Sequence, residues 1–146
     1  MKNAVVAVYD SDRQFADNLT GRLAELGIAC TVCRSLDEAR MMLFAPETDV
    51  LVFGTEEVGS EVMRFLTQVG RPDACAQVIL MVRKNQVRLS IEGMKNGAFD
   101  DIYIPFALDA LLVRLSLAVG QAKLARRRRQ CTGVQQSGKG SPQGRG

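Results

Sequence analysis

The sequence predicts a three-layer, doubly wound α/β domain with a parallel five-stranded sheet in the strand order 2-1-3-4-5. Short apolar runs rich in β-branched residues alternate with stretches of helical periodicity along most of the chain. Parallel strands joined by right-handed helical crossovers are the economical way to pack such an alternation. The length of 146 residues suits one domain with a sizeable core.

The first part of the chain supplies two strands and two helices. Residues 3–9 form a continuous apolar run, which is typical of a strand covered on both faces. Asp12 is a predicted N-cap for the first helix, and Gly27 a predicted stop. The second strand is predicted at residues 28–33, and a capping box that begins at Ser35 opens the second helix.

The rest of the chain continues the same alternation. Each remaining strand is a short apolar run, and each remaining helix shows apolar spacings of three and four. The strands are predicted at residues 49–53, 77–82 and 101–104, and the helices at about 62–69, at about 87–96, and from near Leu108.

Charge divides the chain into a mildly acidic body and a basic end. The net charge is +3, and every charged side chain from Lys123 onward is basic. We therefore predict a domain over residues 1–125 and a disordered tail over 126–146, which is rich in Gly, Gln and Ser. No aromatic residue interleaves the arginines of the tail, so we do not expect nucleic-acid binding. A solvated helix end and docking of a partner remain as roles for Arg126, Arg127, Arg128 and Arg129.

Composition excludes several classes of function. The chain contains no histidine, which removes histidine-based acid–base catalysis and phosphohistidine relay within this chain. Cys30 and Cys33 form a C-x-x-C spacing, but an odd offset along a strand points them to opposite faces, so we predict packing roles. No segment has the length of a membrane span and no signal-peptide pattern is visible, so we expect a cytoplasmic protein.

Four segments resemble a response-regulator receiver domain, whose fold is flavodoxin-like. Residues 97–106, GAFDDIYIPF, are similar to the family's GADDYLxKPF signature in length and hydrophobic rhythm. Residues 8–12 are similar to its acidic pocket, and residues 49–54 and 78–82 to its third and fourth strands. The resemblance covers residues 4 to about 124, with the segments in the order of the family.

The resemblance implies a pocket that has lost its phosphorylation chemistry. Receivers accept a phosphoryl group on an aspartate after the third strand, beside a magnesium ion held by acids after the first. A hydroxyl after the fourth strand and a lysine after the fifth contact the phosphate. This sequence keeps one acid and replaces the second acid, the acceptor, the hydroxyl and the lysine. The peptide bond before the proline that follows the lysine position is expected to be cis. The residues of this degenerate pocket are Asp10, Ser11, Gly54, Val82, Ile104 and Pro105.

Two alternatives would keep some chemistry at the pocket. Asp10, Asp12 and Glu56 offer oxygen ligands for a magnesium ion, unless Asp12 serves as a helix cap and Glu56 lies in a solvated loop. Thr55 is an alternative phosphoacceptor, but it would need a nearby base and a cationic clamp. A flavodoxin-like small-molecule binder is a third hypothesis, although no glycine-rich phosphate loop follows the first strand.

The function predicted first is an atypical single-domain response regulator in two-component signalling. We expect a phosphorylation-independent protein-interaction module without enzymatic activity and without a cofactor. Its partner would be a signalling protein such as a histidine kinase or another regulator, and homodimerisation through the same face is a further option. By resemblance, the interaction face is formed by the fourth helix, the fifth strand and the fifth helix. Its predicted residues are Arg88, Lys95, Asp101, Tyr103 and Arg114, with Asp101 at the family's aromatic switch position.

Overall fold

A computed structural model describes residue 1 and residues 3–139, with side chains described as far as Gln130. Five parallel strands form one sheet in the order β2-β1-β3-β4-β5, as predicted. The strands are β1 (Val5–Asp10), β2 (Ala29–Val32), β3 (Val50–Gly54), β4 (Gln77–Val82) and β5 (Asp100–Tyr103). The helices are α1 (Arg13–Glu25), α2 (Leu36–Phe44), α3 (Ser60–Leu66), α4 (Val87–Lys95) and α5 (Leu108–Lys139).

The sheet separates two apolar cores, because successive side chains of a strand point to opposite faces. Val8 and Val52 lie in the core that packs against α1 and α5. Leu51 and Phe53 lie in the core that packs against α2, α3 and α4. The central strand β3 is fully buried along its length, which explains its uninterrupted apolar sequence.

The helix ends follow the predicted caps in most respects. The carboxylate of Asp12 accepts a hydrogen bond from an N–H in the first turn of α1, and Gly27 adopts a φ of 80° just after this helix. Ser35 Oγ accepts from the backbone N–H of Glu38 at 3.1 Å. The carboxylate of Glu38 accepts from the N–H of Arg34 at 2.7 Å, one residue earlier than a reciprocal capping box would have it.

The two cysteines of the C-x-x-C spacing lie on opposite faces of the sheet, as predicted. Cys30 packs against the core beneath α1 and α5, and Cys33 is buried in the other core. Burial raises the pKa of each thiol to about 11. Both thiols are therefore protonated at neutral pH, which agrees with packing roles.

Helix α5 continues beyond the predicted boundary at residue 125. The prediction was a disordered tail from residue 126, whereas the structure keeps helix to Lys139; residues 140–146 lie outside the described residues. Two physical reasons account for the helix between residues 126 and 130. Ala, Leu, Arg and Gln are strong helix formers. In addition, Arg126 Nη2 donates to Asp49 Oδ1 at 2.9 Å and to the carbonyl of Pro46 at 3.0 Å, which fixes this part of α5 against the start of β3.

None of the helices in the described residues is both long and apolar enough to cross a membrane.

Candidate functional site

The predicted pocket residues gather at the carboxyl edge of the sheet, where ligands bind in doubly wound folds. Asp10 and Gly54 are paired in register at the ends of the neighbouring strands β1 and β3. Val82 ends β4 beside them. Ile104 follows β5, and its bond to Pro105 is cis, as predicted.

The central feature of this edge is an ion pair between Asp10 and Arg83. Arg83 Nη2 lies 2.9 Å from Asp10 Oδ1, and Nη1 lies 3.1 Å from Oδ2, so the contact is bidentate. The Asp10 side chain is 0% exposed and that of Arg83 is 19% exposed. Oδ1 also accepts from the backbone N–H of Asp12 at 2.9 Å. The one acid that remains in the pocket is thereby buried and neutralised by a residue of this chain.

Arg83 is fixed from two sides. Its guanidinium lies over the ring of Phe15 in α1, 5.6 Å from the ring centroid, while its N–H groups contact Asp10. Sequence reasoning missed this role, because it considered the end of the fourth strand only as the place of a missing hydroxyl. The available signal was a basic residue directly after β4, at the same sheet edge as a lone acid.

Gly54 has no room for a side chain while this ion pair is present. A Cβ built on Gly54 would overlap Oδ2 of Asp10 and would lie 3.2 Å from the Cβ and the Cε of Met81. The carboxylate of Asp10 is fastened to Arg83 and cannot swing away freely. The position of the family's acceptor is thus filled by the carboxylate of the neighbouring strand.

The loop after β3 is held by hydrogen bonding within the loop and by bonds to Ser11 and Gln86. Ser11 Oγ accepts from the backbone N–H of Glu56 at 2.7 Å. Thr55 Oγ1 donates to the carbonyl of Glu57 at 2.8 Å, and Gln86 Nε2 donates to the carbonyl of Glu56 at 2.6 Å. The hydroxyl of Thr55, the alternative acceptor, therefore holds the loop, and the nearby Arg83 is already bound to Asp10.

The three candidate metal ligands do not converge. Both carboxylate oxygens of Asp10 contact Arg83, the carboxylate of Asp12 caps α1, and Glu56 Oε1 accepts from the hydroxyl of Ser11 at 3.4 Å. Across the residues with described side chains, no three His, Cys, Asp or Glu residues lie close enough together to hold a metal ion. The residues present do not fit a magnesium site.

Comparison with known proteins relates the chain to bacterial regulators. No protein-family model matches it. It is 35% identical over 107 residues to the C4-dicarboxylate transport transcriptional regulatory protein DctD of Pseudomonas aeruginosa, covering 70% of this chain and 23% of that protein. It is 25% identical over 119 residues to the DNA-binding transcriptional regulator NtrC of Salmonella typhimurium, covering 82% of this chain and 25% of the relative. The chain thus spans about a quarter of the length of these relatives.

Solved structures of receiver domains match the fold over nearly their whole length. The receiver domain of a Francisella response regulator superposes with a TM-score of 0.67 at 24% identity, covering 81% of this chain and 98% of that one. A response regulator receiver domain protein from Clostridium thermocellum gives 0.70 at 20% identity, covering 83% and 98%. The chain has the fold of a response-regulator receiver domain. Within this receiver fold, the Asp10–Arg83 pair occupies the edge at which the resemblance places phosphorylation chemistry.

The five residues predicted for the interaction face lie on α4, β5 and α5. Arg88 and Lys95 are exposed on α4, and Tyr103 of β5 is 48% exposed. Arg114 of α5 donates through Nε to the carbonyl of Asp101 at 2.8 Å. The carboxylate of Asp101 accepts from the hydroxyl of Ser90 in α4. The position of the receiver family's aromatic switch therefore carries a short polar contact between β5 and α4.

Sequence reasoning missed the apolar part of this face. Val87, Ile91 and Met94 are 45%, 60% and 40% exposed and lie on one side of α4. Their spacing of four and three residues is the signal that could have identified this stripe. With Tyr103, they give the face an apolar centre beside its basic side chains.

Two of the predicted pocket residues line a groove between α1 and the start of α5. Ile104 and Pro105 line it together with Phe15 and Arg22. Ile104, at the position to which the resemblance assigns a lysine, thus contributes an apolar wall next to α1.

Proposed function

We propose that this chain is a receiver domain that acts without phosphorylation, as a protein-interaction module in two-component signalling. The observation that carries the proposal is the bidentate Asp10–Arg83 pair, packed into the space beside Gly54. A carboxylate acceptor is absent from that position, and the remaining acid is already neutralised from within the chain.

The ion pair removes the input that normally moves a receiver between its states. A ligand shifts a conformational equilibrium only through different affinities for the two states. The guanidinium of Arg83 supplies the positive charge beside Asp10 from within the chain, so no bound cation is needed next to this carboxylate. This domain therefore remains in one state, or its state is set by a protein partner.

The same contacts argue against an enzymatic role. A catalytic site needs a base or nucleophile that is free to react. Asp10 is buried against Arg83, Thr55 donates to a backbone carbonyl, and the chain has no histidine. The proposed output is binding alone.

The face on α4, β5 and α5 is the proposed docking surface. Ile91, Met94 and Tyr103 expose apolar area, and Arg88 and Lys95 add positive charge beside it. Such a surface suits a signalling protein that presents apolar side chains bordered by acidic ones. The names of DctD and NtrC describe whole transcriptional regulators, and this chain spans only about a quarter of their length. DNA binding is therefore not part of this proposal.

Exposure to a small phosphodonor tests the proposal. The full chain is incubated with acetyl phosphate and magnesium chloride and analysed by intact mass spectrometry, beside a receiver that has its acceptor aspartate. The expected result is an adduct on the control receiver and none on this chain. A stoichiometric phosphoryl adduct on this chain would disprove phosphorylation-independent action.

A further inference from the structure

The outward side of α5 carries an apolar stripe that the receiver body does not cover. Val113, Leu117 and Leu124 are 60%, 61% and 40% exposed, although Leu111 and Leu115 on the opposite side of the helix are fully buried. Spacings of four and seven residues keep the three exposed side chains on one side of a helix. An isolated exposed leucine is ordinary, whereas a stripe over three turns points to an interaction.

Gly120 lies within this stripe and leaves its centre open. It is exposed, and a Cβ built on it would meet no atom within 4 Å. Glycine inside a helix costs about 1 kcal/mol relative to alanine. A gap at this point lets a second helix approach closely, with the side chain of Leu117 packing beside it.

Opposite charges lie at the two ends of the same stripe. Asp109 is in the first turn of α5, and Arg127 follows it by eighteen residues, which is five helical turns. Both residues therefore lie at the same angular position on the helix, and both are exposed.

We propose that this stripe pairs α5 with α5 of a second copy of the chain in an antiparallel arrangement. A twofold axis between Leu117 and Gly120 places Val113 of one copy opposite Leu124 of the other. The same operation places Asp109 opposite position 128, one residue from Arg127, which lies on the same side of the helix as Asp109; this contact forms twice in the dimer. The stripe is thus complementary to itself in shape and in charge.

The charges select the antiparallel direction. A parallel pair would place Asp109 against Asp109 and Arg127 against Arg127, and like charges repel. This pairing involves neither the Asp10–Arg83 pocket nor the α4 stripe. A test of this pairing is therefore independent of a test of the proposed signalling role.

Sedimentation equilibrium of the full chain, from about 1 to 500 μM, tests the pairing. A monomer–dimer equilibrium is expected. Leu117→Asp should raise the dissociation constant at least about tenfold. Met41→Asp is the matched control, because Met41 is 67% exposed on α2, away from the stripe. Circular dichroism melts establish that both variants are folded.

A charge exchange tests the register. Asp109→Arg and Arg127→Asp should each weaken the dimer, and the double variant should restore it because each new pair is again of opposite sign. A monomer at all concentrations, a dimer that Leu117→Asp leaves intact, or a double variant weaker than both single variants would overturn the proposal.

Discussion

Arg83 contacts both carboxylate oxygens of Asp10, and the two residues are separated by 73 positions in the chain. The pair joins the end of β1 to the end of β4 across the intervening strand β3. Its position explains why the edge can be stable without a metal ion, since the buried acid already has a cation of its own.

Replacing Arg83 by alanine should destabilise the domain by about 3 kcal/mol, because a buried carboxylate loses its ionic partner. Arg83→Lys should cost less but should not be neutral, since an amine cannot make the bidentate contact. Urea denaturation measures both effects. In the Asp10→Asn background, the cost of Arg83→Ala should shrink; an unchanged cost would show that the pair itself contributes nothing.

Any side chain at position 54 should destabilise the fold. Gly54→Ala is expected to cost about 1–3 kcal/mol, because its Cβ would overlap the Asp10 carboxylate. Gly21→Ala is the control. Gly21 is in α1 and a Cβ there meets nothing, so that change should stabilise by about 0.5–1 kcal/mol. Thermal melts of the two variants should move in opposite directions.

Alkaline pH should weaken the fold through the two sheet cysteines. Burial raises the pKa of Cys30 and Cys33 to about 11, above the value of 9.0 for an unperturbed thiol. The folded state therefore holds these protons more tightly than the unfolded state, and this stabilisation is lost as pH rises from about 9 to about 11. The free energy of unfolding should fall over this window, with a smaller fall in Cys33→Ala.

Arg126 should stabilise the part of α5 that contacts Pro46 and Asp49. Arg126→Ala removes the partner of Asp49, whose side chain is 2% exposed and keeps only the N–H of Val5, at 2.8 Å, among its described contacts. We expect a loss of about 1–3 kcal/mol. Amide hydrogen exchange should become faster in the turns of α5 around residue 126. Arg129→Ala, an exposed neighbour, should leave both measurements unchanged.

Substitution of Ile91 should abolish binding of a partner that docks on α4 and should leave binding at other surfaces unchanged. Proteins captured from native lysate by the full chain are compared with those captured by Ile91→Asp and by Met41→Asp. Both positions are exposed, at 60% and 67%, but only Ile91 lies on the proposed face. A partner should be retained by Met41→Asp and lost by Ile91→Asp; loss in both or in neither would count against this face.

The fold was predictable because it depends on local patterns. A fully buried strand such as β3 must be apolar throughout, and a helix that begins at Asp12 shows its cap in the sequence. Strand alternation alone was sufficient to place Cys30 and Cys33 on opposite faces. These features involve residues close together in the chain, so they can be predicted from the spacing of residue types in the sequence.

The contacts of the site were less predictable because they join distant residues. The absence of a carboxylate at position 54 was readable from the sequence, but the Asp10–Arg83 contact depends on how two loops meet over β3. The start of the α5 extension likewise depends on Arg126 reaching Asp49, which is 77 positions away. Composition predicted disorder from residue 126 because it does not include such tertiary contacts.

The overlap at Gly54 would make the proposed loss of phosphorylation difficult to reverse. An aspartate introduced at position 54 alone would bring a second carboxylate against Asp10 while Arg83 still occupied the cation's place. Removing Arg83 first would leave Asp10 buried and uncompensated. Either first step lowers stability before any chemistry returns, so the present pocket is separated from a working one by a barrier that no single substitution crosses.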